Sequence, residues 1–414
     1  MAVWKLILIC IALILVWVSV SLFGAFRGWW MSPVVGQNDL DGFFSYVTGV
    51  LEESNKGASA LMLISNGEID KEYYASSSGS VDAQTVFAAA SMSKWIAAYA
   101  MMSLVEAGQA DLDKSVSEYL TRWQLPDSQF DNDAVTIRRL LSHTAGLKDN
   151  LGFGEYTLDE TLPGLEDELR SPRASSGQEV SIAVAAQPGS EWQYSGGGYL
   201  LLELLIEEIA NKTYEEYVRE VVFEPLKMMH AGYDTLDNYR NNAGLYKTDG
   251  ERVPSFQYAS SAATGLIISS HDLAKFVIAQ LSCGDDIRPV GAERIKTMRE
   301  PHGRTAGADI WGLGTILYAP THSGDFVFGH DGANDPAVNT IARVNPDSGD
   351  AIIALVSGHP SVATSIGSEW VLWQTGYPDV LSIEDTVNSA LMPTTVGSFL
   401  IVATFAVIGF RHRG

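Results

Sequence analysis

A serine and a lysine three residues apart form the pair whose spacing most directly indicates chemistry. The run Ser91-Met92-Ser93-Lys94 follows three alanines and precedes an apolar stretch, Trp95 to Met102, that is typical of a buried helix. Residues three apart share a helix face, so the Lys94 amine can reach the Ser91 hydroxyl. A desolvated lysine can accept the serine proton, and the free N–H groups at a helix start favour an oxyanion. The spacing predicts a serine nucleophile with a lysine partner.

The same two residues also fit a purely structural interpretation. Ser91 would then only cap the buried helix, and Lys94 would extend its amine to the surface. The spacing alone leaves both interpretations open, and the motifs that follow favour the first.

Further motifs follow the serine in a fixed order. They are Thr136 to Leu147, Pro188 to Tyr199, Ala262 to Leu266 with Asp272 to Phe276, and Gly329 to Asn334. Over about residues 37–377 this set closely resembles the group of class C β-lactamases, D-alanyl-D-alanine carboxypeptidases and family VIII esterases. The resemblance implies a β-lactamase/transpeptidase-like fold and a serine hydrolase that works through an acyl-enzyme, with no cofactor and no metal ion.

The resemblance also assigns roles to single residues. It makes Ser91 the acylated nucleophile with Lys94 as its partner, and it places Tyr194 at the family tyrosine that relays a proton to the leaving group. The backbone N–H groups of Ser91 and Ala333 would form the oxyanion hole. A phenolate and an ammonium stabilise each other, and either group can accept the serine proton. Which of the two is the base stays open.

The substrate-binding positions depart from the family pattern. His330-Asp331-Gly332 stands where family members carry Lys-Thr-Gly or His-x-Gly, on the strand that borders the cleft. The histidine removes a permanent cation. Gly196 replaces the family asparagine that grips a substrate amide, and Asn334 is a candidate to supply that amide. These departures favour an ester, amide or peptide substrate over efficient hydrolysis of β-lactams.

The elements that must position these residues come from both ends of the body. Helical spacing from Asp39 to Glu53 predicts an amphipathic helix, and Asn66-Gly67 predicts a hairpin turn. The strand-like runs are Ala60 to Ser65, Glu68 to Ala75, Gly312 to Tyr318, Asp325 to Gly329, Val338 to Val344 and Ala351 to Ser357, with a closing helix from Ser361 to Thr375. We expect an α/β (α+β) fold, in which helices flank one antiparallel sheet and a mostly helical region, about 106–260, is inserted. A cleft is expected where the two regions meet.

Two apolar stretches near the chain ends, Leu6 to Phe26 and Leu391 to Phe410, each have about the 20 residues that span a bilayer. We therefore expect an N-terminal anchor or signal (1–30), a catalytic domain (37–380) and a C-terminal transmembrane helix (391–410). Lys5, Arg411 and Arg413 flank the stretches as cytoplasmic residues do, which predicts a body on the extracytoplasmic side of the cell membrane. The small residues Ser19-Val20-Ser21 leave cleavage of a signal peptide as an alternative.

The charge of the body excludes one class of partner. Lys5, Arg27, Arg411 and Arg413 lie in the flanks of the apolar ends, so the body carries all 50 acidic residues but only 23 of the 27 basic residues, a net −27. Nucleic acid is therefore not an expected partner, and the expected partners are a small-molecule or peptide substrate and the membrane. Cys10 and Cys283 lie in different regions and are not expected to pair.

A second function class competes with the enzyme. A membrane-bound binding or sensing module of the penicillin-binding type would keep the pocket and lose turnover, and Gly196 favours this alternative. The sequence has no GxSxG elbow, no HExxH zinc motif and no GxxxxGK[ST] phosphate loop, which argues against three other enzyme classes.

Overall fold

The computed structural model describes residues 3–281 and 289–411. Cys283 and Arg413 lie outside the described residues. The chain divides into two compact units, one of Phe43–Gly367 and the other of Met1–Gly42 with Ser368–Gly414.

The strands in chain order are β1 Ala58–Ser65, β2 Glu68–Ser76, β3 Val86–Ala88, β4 Ala231–Gly232, β5 Leu245–Tyr246, β6 Arg252–Val253, β7 Ile267–Ser269, β8 Gly303–Thr305, β9 Ala308–Trp311, β10 Ile316–Pro320, β11 Phe326–Asn334, β12 Val338–Asn345 and β13 Asp350–Ser357. The α-helices are α1 Val3–Phe26, α2 Leu40–Ser54, α3 Ser93–Glu106, α4 Ile137–Leu141, α5 Leu165–Arg170, α6 Gly196–Ala210, α7 Tyr214–Val218, α8 Ser270–Leu281, α9 Ala292–Met298, α10 Val362–Thr375, α11 Ile383–Ser389 and α12 Leu391–Arg411.

The main sheet joins the two ends of the larger unit. Its eight strands lie in the order β2-β1-β13-β12-β11-β10-β9-β8, and all its pairings are antiparallel. The first and last strands of the body are neighbours, paired from Ala58 with Ser357 to Ile64 with Ala351. The prediction of one antiparallel sheet drawn from both ends of the body is confirmed.

The central strands follow from continuous apolar runs. β1 and β13 are buried along nearly their whole length, because both faces of the sheet are covered. At the hairpin between β1 and β2, Asn66 and Gly67 have φ angles of 53° and 79°. These positive angles are the ones that a tight two-residue hairpin turn requires, as the sequence predicts.

Two strand predictions differ from the structure by four or five residues at one end, and the others by one or two. The run from Gly312 begins with a turn, since Gly314 has a φ of 76° and the Gly312 N–H bonds to the Thr315 carbonyl, so that β10 starts at Ile316. β11 continues to Asn334, five residues beyond the predicted end at Gly329. The motif His330-Asp331-Gly332 therefore lies inside a strand, where successive side chains point to opposite faces.

Aromatic packing joins the sheet to the helices that carry the site. The Trp95 ring of α3 lies 5.0 Å from Phe276 of α8 and 5.9 Å from Phe328 of β11, both edge to face. Trp95 is fully buried. Helix α6 packs in turn against α3, α4, α5 and α7, so the helical region and the sheet share one core.

The smaller unit contains the two apolar terminal helices. Two spans, Trp4–Phe26 and Val380–Phe410, are long and apolar enough to cross a membrane by length and composition. α1 and α12 pack together, and the Trp17 indole N–H donates to the Pro393 carbonyl over 2.9 Å. A side chain at Gly397 would collide with the same indole, so the glycine makes room for this contact.

Candidate active site

Ser91 lies in a tight 3₁₀ turn, Ala90–Met92, that leads into α3. The preceding residue, Ala90, has a φ of 48°, a left-handed conformation that costs free energy for a residue with a side chain. Ser93 holds the turn, because its hydroxyl donates to the Ala90 carbonyl at 2.6 Å and accepts from the Leu266 N–H at 3.0 Å. The strained turn is thereby fixed to the loop that precedes β7.

Lys94 lies one helical turn after Ser91 and is only 3% exposed. Its Nζ donates to Ser91 Oγ over 3.2 Å and to the Ala263 carbonyl over 2.8 Å. The amine also lies 5.0 Å from the centre of the Tyr194 ring and 5.7 Å from that of Tyr199. The lysine therefore does not extend to the surface, and the structural alternative of an exposed amine does not apply.

Tyr194 reaches the same hydroxyl from the segment that precedes α6. Its phenol oxygen lies 3.1 Å from Ser91 Oγ. The ring packs against those of His143 and Trp311, with centroid distances of 4.5 and 5.7 Å. The structure thus brings together the three residues that the sequence singles out, with the amine and the phenol both within hydrogen-bond distance of one hydroxyl.

Two buried histidines flank this group. His143 Nδ1 accepts a hydrogen bond from the Ser195 N–H at 3.1 Å, which places its proton on Nε2. His330 Nδ1 lies 2.6 Å from the Asp331 carbonyl, to which it can only donate, so its Nε2 is a free acceptor. Neither Nε2 has a hydrogen-bond partner among the described residues.

The surroundings of both histidines favour the neutral imidazole. Burial lowers the pKa of His143 well below its usual value, and the nearby Lys94 lowers it further. Burial, followed by the same amine, lowers the pKa of His330 to about 3. The site therefore offers an uncharged donor and an uncharged acceptor beside the lysine, and no permanent cation at position 330.

The end of β11 passes directly beside the nucleophile. A side chain at Gly332 would lie 2.2 Å from the Ala89 carbonyl oxygen and 3.1 Å from the Ser91 nitrogen, so only glycine allows this approach. β10 pairs with β11 from Phe326 to Gly329, and the exposed Ala333 follows beyond that pairing. The oxyanion hole formed by the N–H groups of Ser91 and Ala333 stays a prediction.

Asp331 points to the opposite face of the strand. Its carboxylate accepts hydrogen bonds from the Tyr318 phenol at 2.7 Å, the Thr364 hydroxyl at 2.9 Å and the Arg343 guanidinium at 3.0 Å. The Arg343 side chain is fully buried. The structure does not bring this carboxylate to Ser91, and its contacts anchor the strand from behind.

Gly196 and Asn334, the two other predicted substrate-binding residues, lie in different parts of the site. A side chain at Gly196 would lie 2.2 Å from the Leu151 carbonyl oxygen, so the family asparagine has no room unless that loop shifts. Asn334 lies at the end of β11, and its amide donates to the Thr264 hydroxyl over 3.0 Å. Asn334 therefore links the strand to the loop that carries the Ala263 carbonyl.

One contributor was not found by the sequence reasoning. Glu203 of α6 is buried, and its carboxyl accepts from the Ser260 hydroxyl at 2.7 Å and the Ala262 N–H at 2.9 Å. Burial raises the pKa of Glu203 to about 8. It fixes the loop whose next carbonyl, that of Ala263, holds Lys94. The feature of the sequence that could have indicated Glu203 is its position as a single acid within the apolar run of α6.

No group of three histidine, cysteine or acidic side chains in the described ranges is arranged to hold a metal ion. The functional groups around Ser91 are instead an amine, a phenol and two imidazoles. The Ser91 hydroxyl thus has an amine at 3.2 Å and a phenol at 3.1 Å, and a neighbour that can accept its proton is what a serine nucleophile needs.

Comparison with known proteins gives the same class. The model of the family described as Beta-lactamase matches residues 46–373, and the chain belongs to this family of serine hydrolases.

Two curated relatives are penicillin-binding proteins by name. The chain is 27% identical to the putative penicillin-binding protein PbpX of Bacillus subtilis (strain 168) over 231 residues, 52% of each chain. It thus spans about half the length of that relative. It is 28% identical to penicillin-binding protein 4 of Amycolatopsis lactamdurans over 304 residues, 69% of this chain and 75% of the relative.

Solved structures share the fold. The octameric penicillin-binding protein homologue from Pyrococcus abyssi aligns with a TM-score of 0.66 at 23% identity, over 82% of this chain and 78% of the other. The D-amino acid amidase from Ochrobactrum anthropi SV3 aligns with a TM-score of 0.60 at 21% identity, over 78% of this chain and 98% of the other. The predicted β-lactamase/transpeptidase-like fold is confirmed.

Proposed function

We propose that this chain hydrolyses an ester, amide or peptide bond through an acyl-enzyme on Ser91. The observation that carries the proposal is the convergence of Lys94 Nζ and the Tyr194 phenol on Ser91 Oγ, at 3.2 and 3.1 Å. Both groups lie at the distance that direct proton transfer requires.

The reaction would proceed in two steps. Ser91 Oγ attacks the substrate carbonyl carbon while its proton passes to Lys94 or Tyr194, and the Ser91 and Ala333 N–H groups receive the oxyanion. The leaving group takes a proton from the Tyr194 phenol and departs as an alcohol or amine, leaving an ester on Ser91. The oxygen of a water molecule then bonds to the acyl carbon, and the bond from that carbon to Ser91 Oγ breaks. One water proton passes through Lys94 or Tyr194 to Ser91 Oγ, and the carboxylic acid is released.

The site lacks two groups with which family members bind their substrates, so it favours substrates that do not need these contacts. Gly196 supplies no side-chain amide, and neutral His330 supplies no cation for a substrate carboxylate. Simple esters and amides are therefore better candidates than β-lactams. The likeness in fold to a D-amino acid amidase supports an amide among the candidate substrates.

The two terminal helices support a location at the membrane. α1 and α12 would anchor the chain with the hydrolase unit on the extracytoplasmic side, because Lys5 precedes the first apolar span. Protease added to intact cells should then degrade the hydrolase unit, whereas protection of that unit until the cells are lysed would contradict this orientation.

The chemical proposal is tested with p-nitrophenyl butyrate and the full-length chain. Ser91→Ala should abolish turnover, and the exposed Ser80→Ala should leave it unchanged. Treatment with a fluorophosphonate should attach one adduct to the peptide that contains Ser91, detected by mass spectrometry. Equal turnover by wild type and Ser91→Ala would overturn the assignment of the nucleophile.

A ligand-binding or sensing module is the second candidate, and the missing amide at Gly196 favours it. Incubation with a penicillin separates the two functions. A Ser91 adduct that persists for hours, together with no turnover of p-nitrophenyl butyrate, identifies a binder. Turnover of the ester identifies the enzyme.

A further inference from the structure

The Tyr194 phenol belongs to a segment that a loop from an earlier part of the chain holds on both sides. The N–H of Gln193, the residue before it, donates to the His143 carbonyl at 2.8 Å, and the N–H of Ser195, the residue after it, donates to His143 Nδ1 at 3.1 Å. The His143 ring also packs against the Tyr194 ring at a centroid distance of 4.5 Å. Both chain neighbours of the tyrosine are therefore bound to one residue of this loop.

Asp149 of the same loop binds this segment at two more points, and it is buried, with 7% of its surface exposed. Its carboxylate accepts hydrogen bonds from the Ser195 hydroxyl and, at 3.3 Å, from the Gly197 N–H in the first turn of α6. A third bond, from the Leu151 N–H at 2.9 Å, joins the carboxylate to its own loop. One carboxylate thus connects the loop, the residue after Tyr194 and the start of α6.

A carboxylate suits this place, because free N–H groups and the positive end of the dipole lie at a helix N-terminus. Ser195 caps α6, since its hydroxyl oxygen accepts from the Gly198 N–H at 2.8 Å. The hydroxyl proton is donated to Asp149, so the oxygen lone pairs remain for the helix. Asp149 therefore fixes the orientation of the cap that directly follows Tyr194.

The reaction depends on where this segment places the phenol. The Tyr194 oxygen lies 3.1 Å from Ser91 Oγ, at the long end of the range for a hydrogen bond between two oxygens. A displacement of about 1 Å would break this contact, and misplacements of that size can cost about 100-fold in rate. What holds the chain beside Tyr194 therefore controls proton transfer at Ser91.

We infer that Asp149 is a positioning residue, which acts through Ser195 to hold the Tyr194 phenol where it gives a proton to the leaving group. This inference rests on the proposed function and adds a residue that lies outside the motifs of the sequence. Loss of Asp149 should therefore impair most the substrates whose leaving group needs a proton. A carboxylate that only capped α6 would change the amount of folded protein, and with it the rate for every substrate equally.

Two esters with the same acyl group test the inference. p-Nitrophenyl butyrate releases p-nitrophenolate, a stable anion that leaves without a proton, whereas ethyl butyrate releases ethanol and needs one. The ester ratio is defined as kcat/KM for ethyl butyrate divided by kcat/KM for p-nitrophenyl butyrate, so that any loss of folded protein cancels. Tyr194→Phe removes the proton donor and should lower the ester ratio about tenfold.

Asp149→Asn keeps the shape of the side chain but leaves a single oxygen for three donors. We expect this variant to lower the ester ratio about fivefold, in the direction of Tyr194→Phe. Ser195→Ala removes the hydroxyl through which Asp149 acts and should lower the ratio as well. In the Tyr194→Phe background, Asp149→Asn should leave the ratio unchanged, because no phenol remains to be positioned.

Asp272→Asn is the matched control. Asp272 is also fully buried, but its carboxylate holds the His230 N–H and the Lys275 amine instead. This variant should leave the ester ratio unchanged even where it destabilises the protein. Tryptophan fluorescence shows that each variant is folded under the assay conditions.

The outcomes separate this inference from the proposed function. If Tyr194→Phe lowers the ester ratio but Asp149→Asn does not, the positioning inference is wrong and the hydrolase proposal stands. A further fall in the ratio when Asp149→Asn is added to Tyr194→Phe also overturns it, since Asp149 would then act by another route. If turnover of neither ester depends on Ser91, the hydrolase proposal itself fails, and the inference fails with it.

Discussion

Two adjacent residues on opposite faces of strand β11 differ in their charge and in their hydrogen bonding. On one face, burial and then the charge of Lys94 lower the pKa of His330, and its ring Nε2 is buried without a hydrogen-bond partner among the described residues. On the other face, the Asp331 carboxylate accepts hydrogen bonds from Tyr318, Arg343 and Thr364. The imidazole on the first face is neutral and has a free nitrogen, whereas the carboxylate on the second face is fully hydrogen-bonded within the protein.

The two faces of β11 therefore differ in role: one faces the reaction site, here called the reactive face, and the other holds the strand in place, here called the supporting face. Groups that must meet a substrate have to remain unsatisfied in the free protein, at a cost in stability. Groups that hold the strand in place can be fully paired, and a buried pair loses most when one partner is removed. Substitutions on the reactive face should therefore affect activity, whereas those on the supporting face should affect folding.

The largest expected effect is on the reactive face. Lys94→Met keeps the length of the buried side chain and removes the amine that contacts Ser91. We expect kcat/KM for p-nitrophenyl butyrate to fall by about 10³-fold or more, because both proton acceptance and the hold on the hydroxyl are lost. The exposed Lys114→Met is the matched control and should retain full activity. A loss of less than tenfold in Lys94→Met would show that the phenol alone suffices.

The supporting face should respond in stability. Asp331→Ala leaves the fully buried Arg343 without its carboxylate, and we expect the free energy of unfolding to fall by about 3–5 kcal/mol. Asp167→Ala breaks the exposed pair with Arg170 and should cost less than about 1 kcal/mol. Urea denaturation followed by tryptophan fluorescence measures both. Equal, small losses would mean that Arg343 is satisfied without Asp331.

Gly332→Ala tests how closely the reactive face fits the nucleophile. The added methyl would lie 2.2 Å from the Ala89 carbonyl oxygen, so the strand or the turn must shift. We expect a loss of about 1–3 kcal/mol in unfolding free energy and more than tenfold in kcat/KM. Gly49→Ala, in the open surroundings of α2, should not destabilise the protein. Unchanged activity in Gly332→Ala would contradict the close approach of β11 to Ser91.

The last group of predictions concerns how stability depends on pH. The pKa of His330 is lowered to about 3 in the folded chain, against about 6.5 when unfolded. Below pH 6.5 the unfolded chain binds the extra proton, so stability should fall by up to about 1.4 kcal/mol per pH unit as the pH drops towards 3. His143 contributes in the same direction, since its pKa is also lowered. His330→Gln should reduce the slope, and an unchanged slope would show that His330 does not contribute to it.

Glu203 should produce the opposite trend at higher pH. Its carboxyl has a pKa raised to about 8 in the folded chain, so the unfolded chain releases a proton that the folded chain keeps between about pH 4.5 and 8. Stability attributable to this group therefore falls as the pH rises through that window. Glu203→Gln should flatten the curve there while preserving an acceptor for Ala262, and denaturation at pH 5 and pH 8 measures the change.

The sequence predicts local relations well. The spacing of Ser91 and Lys94 gives a shared helix face, and Asn66-Gly67 gives the hairpin turn with the positive φ angles that the structure has. Both follow from the geometry of a few consecutive residues. Tyr194, by contrast, reaches Ser91 across 103 residues of chain, and only the resemblance to a family could place it.

The features that could not be predicted from the sequence depend on side-chain direction and on contacts between distant parts of the chain. The residue pattern alone ended this strand at Gly329, and only the family resemblance placed His330 on a strand, from which the period of two sends Asp331 to the other face. Lys94 donates a hydrogen bond to the backbone carbonyl of Ala263, and a contact with a backbone group cannot be predicted from residue types. Strands β8 and β9 are only three and four residues long and were not predicted, although β9 ends at Trp311, which packs against Tyr194.

The pairing of β1 with β13 also constrains how the chain can be made. These strands are about 300 residues apart in sequence, and such distant partners give slow folding. During translation β1 leaves the ribosome long before its neighbour exists, and one of its edges stays open to chaperones or to other nascent chains. A truncated chain that ends before Asp350 should therefore aggregate, even though every residue around Ser91 has already been synthesised.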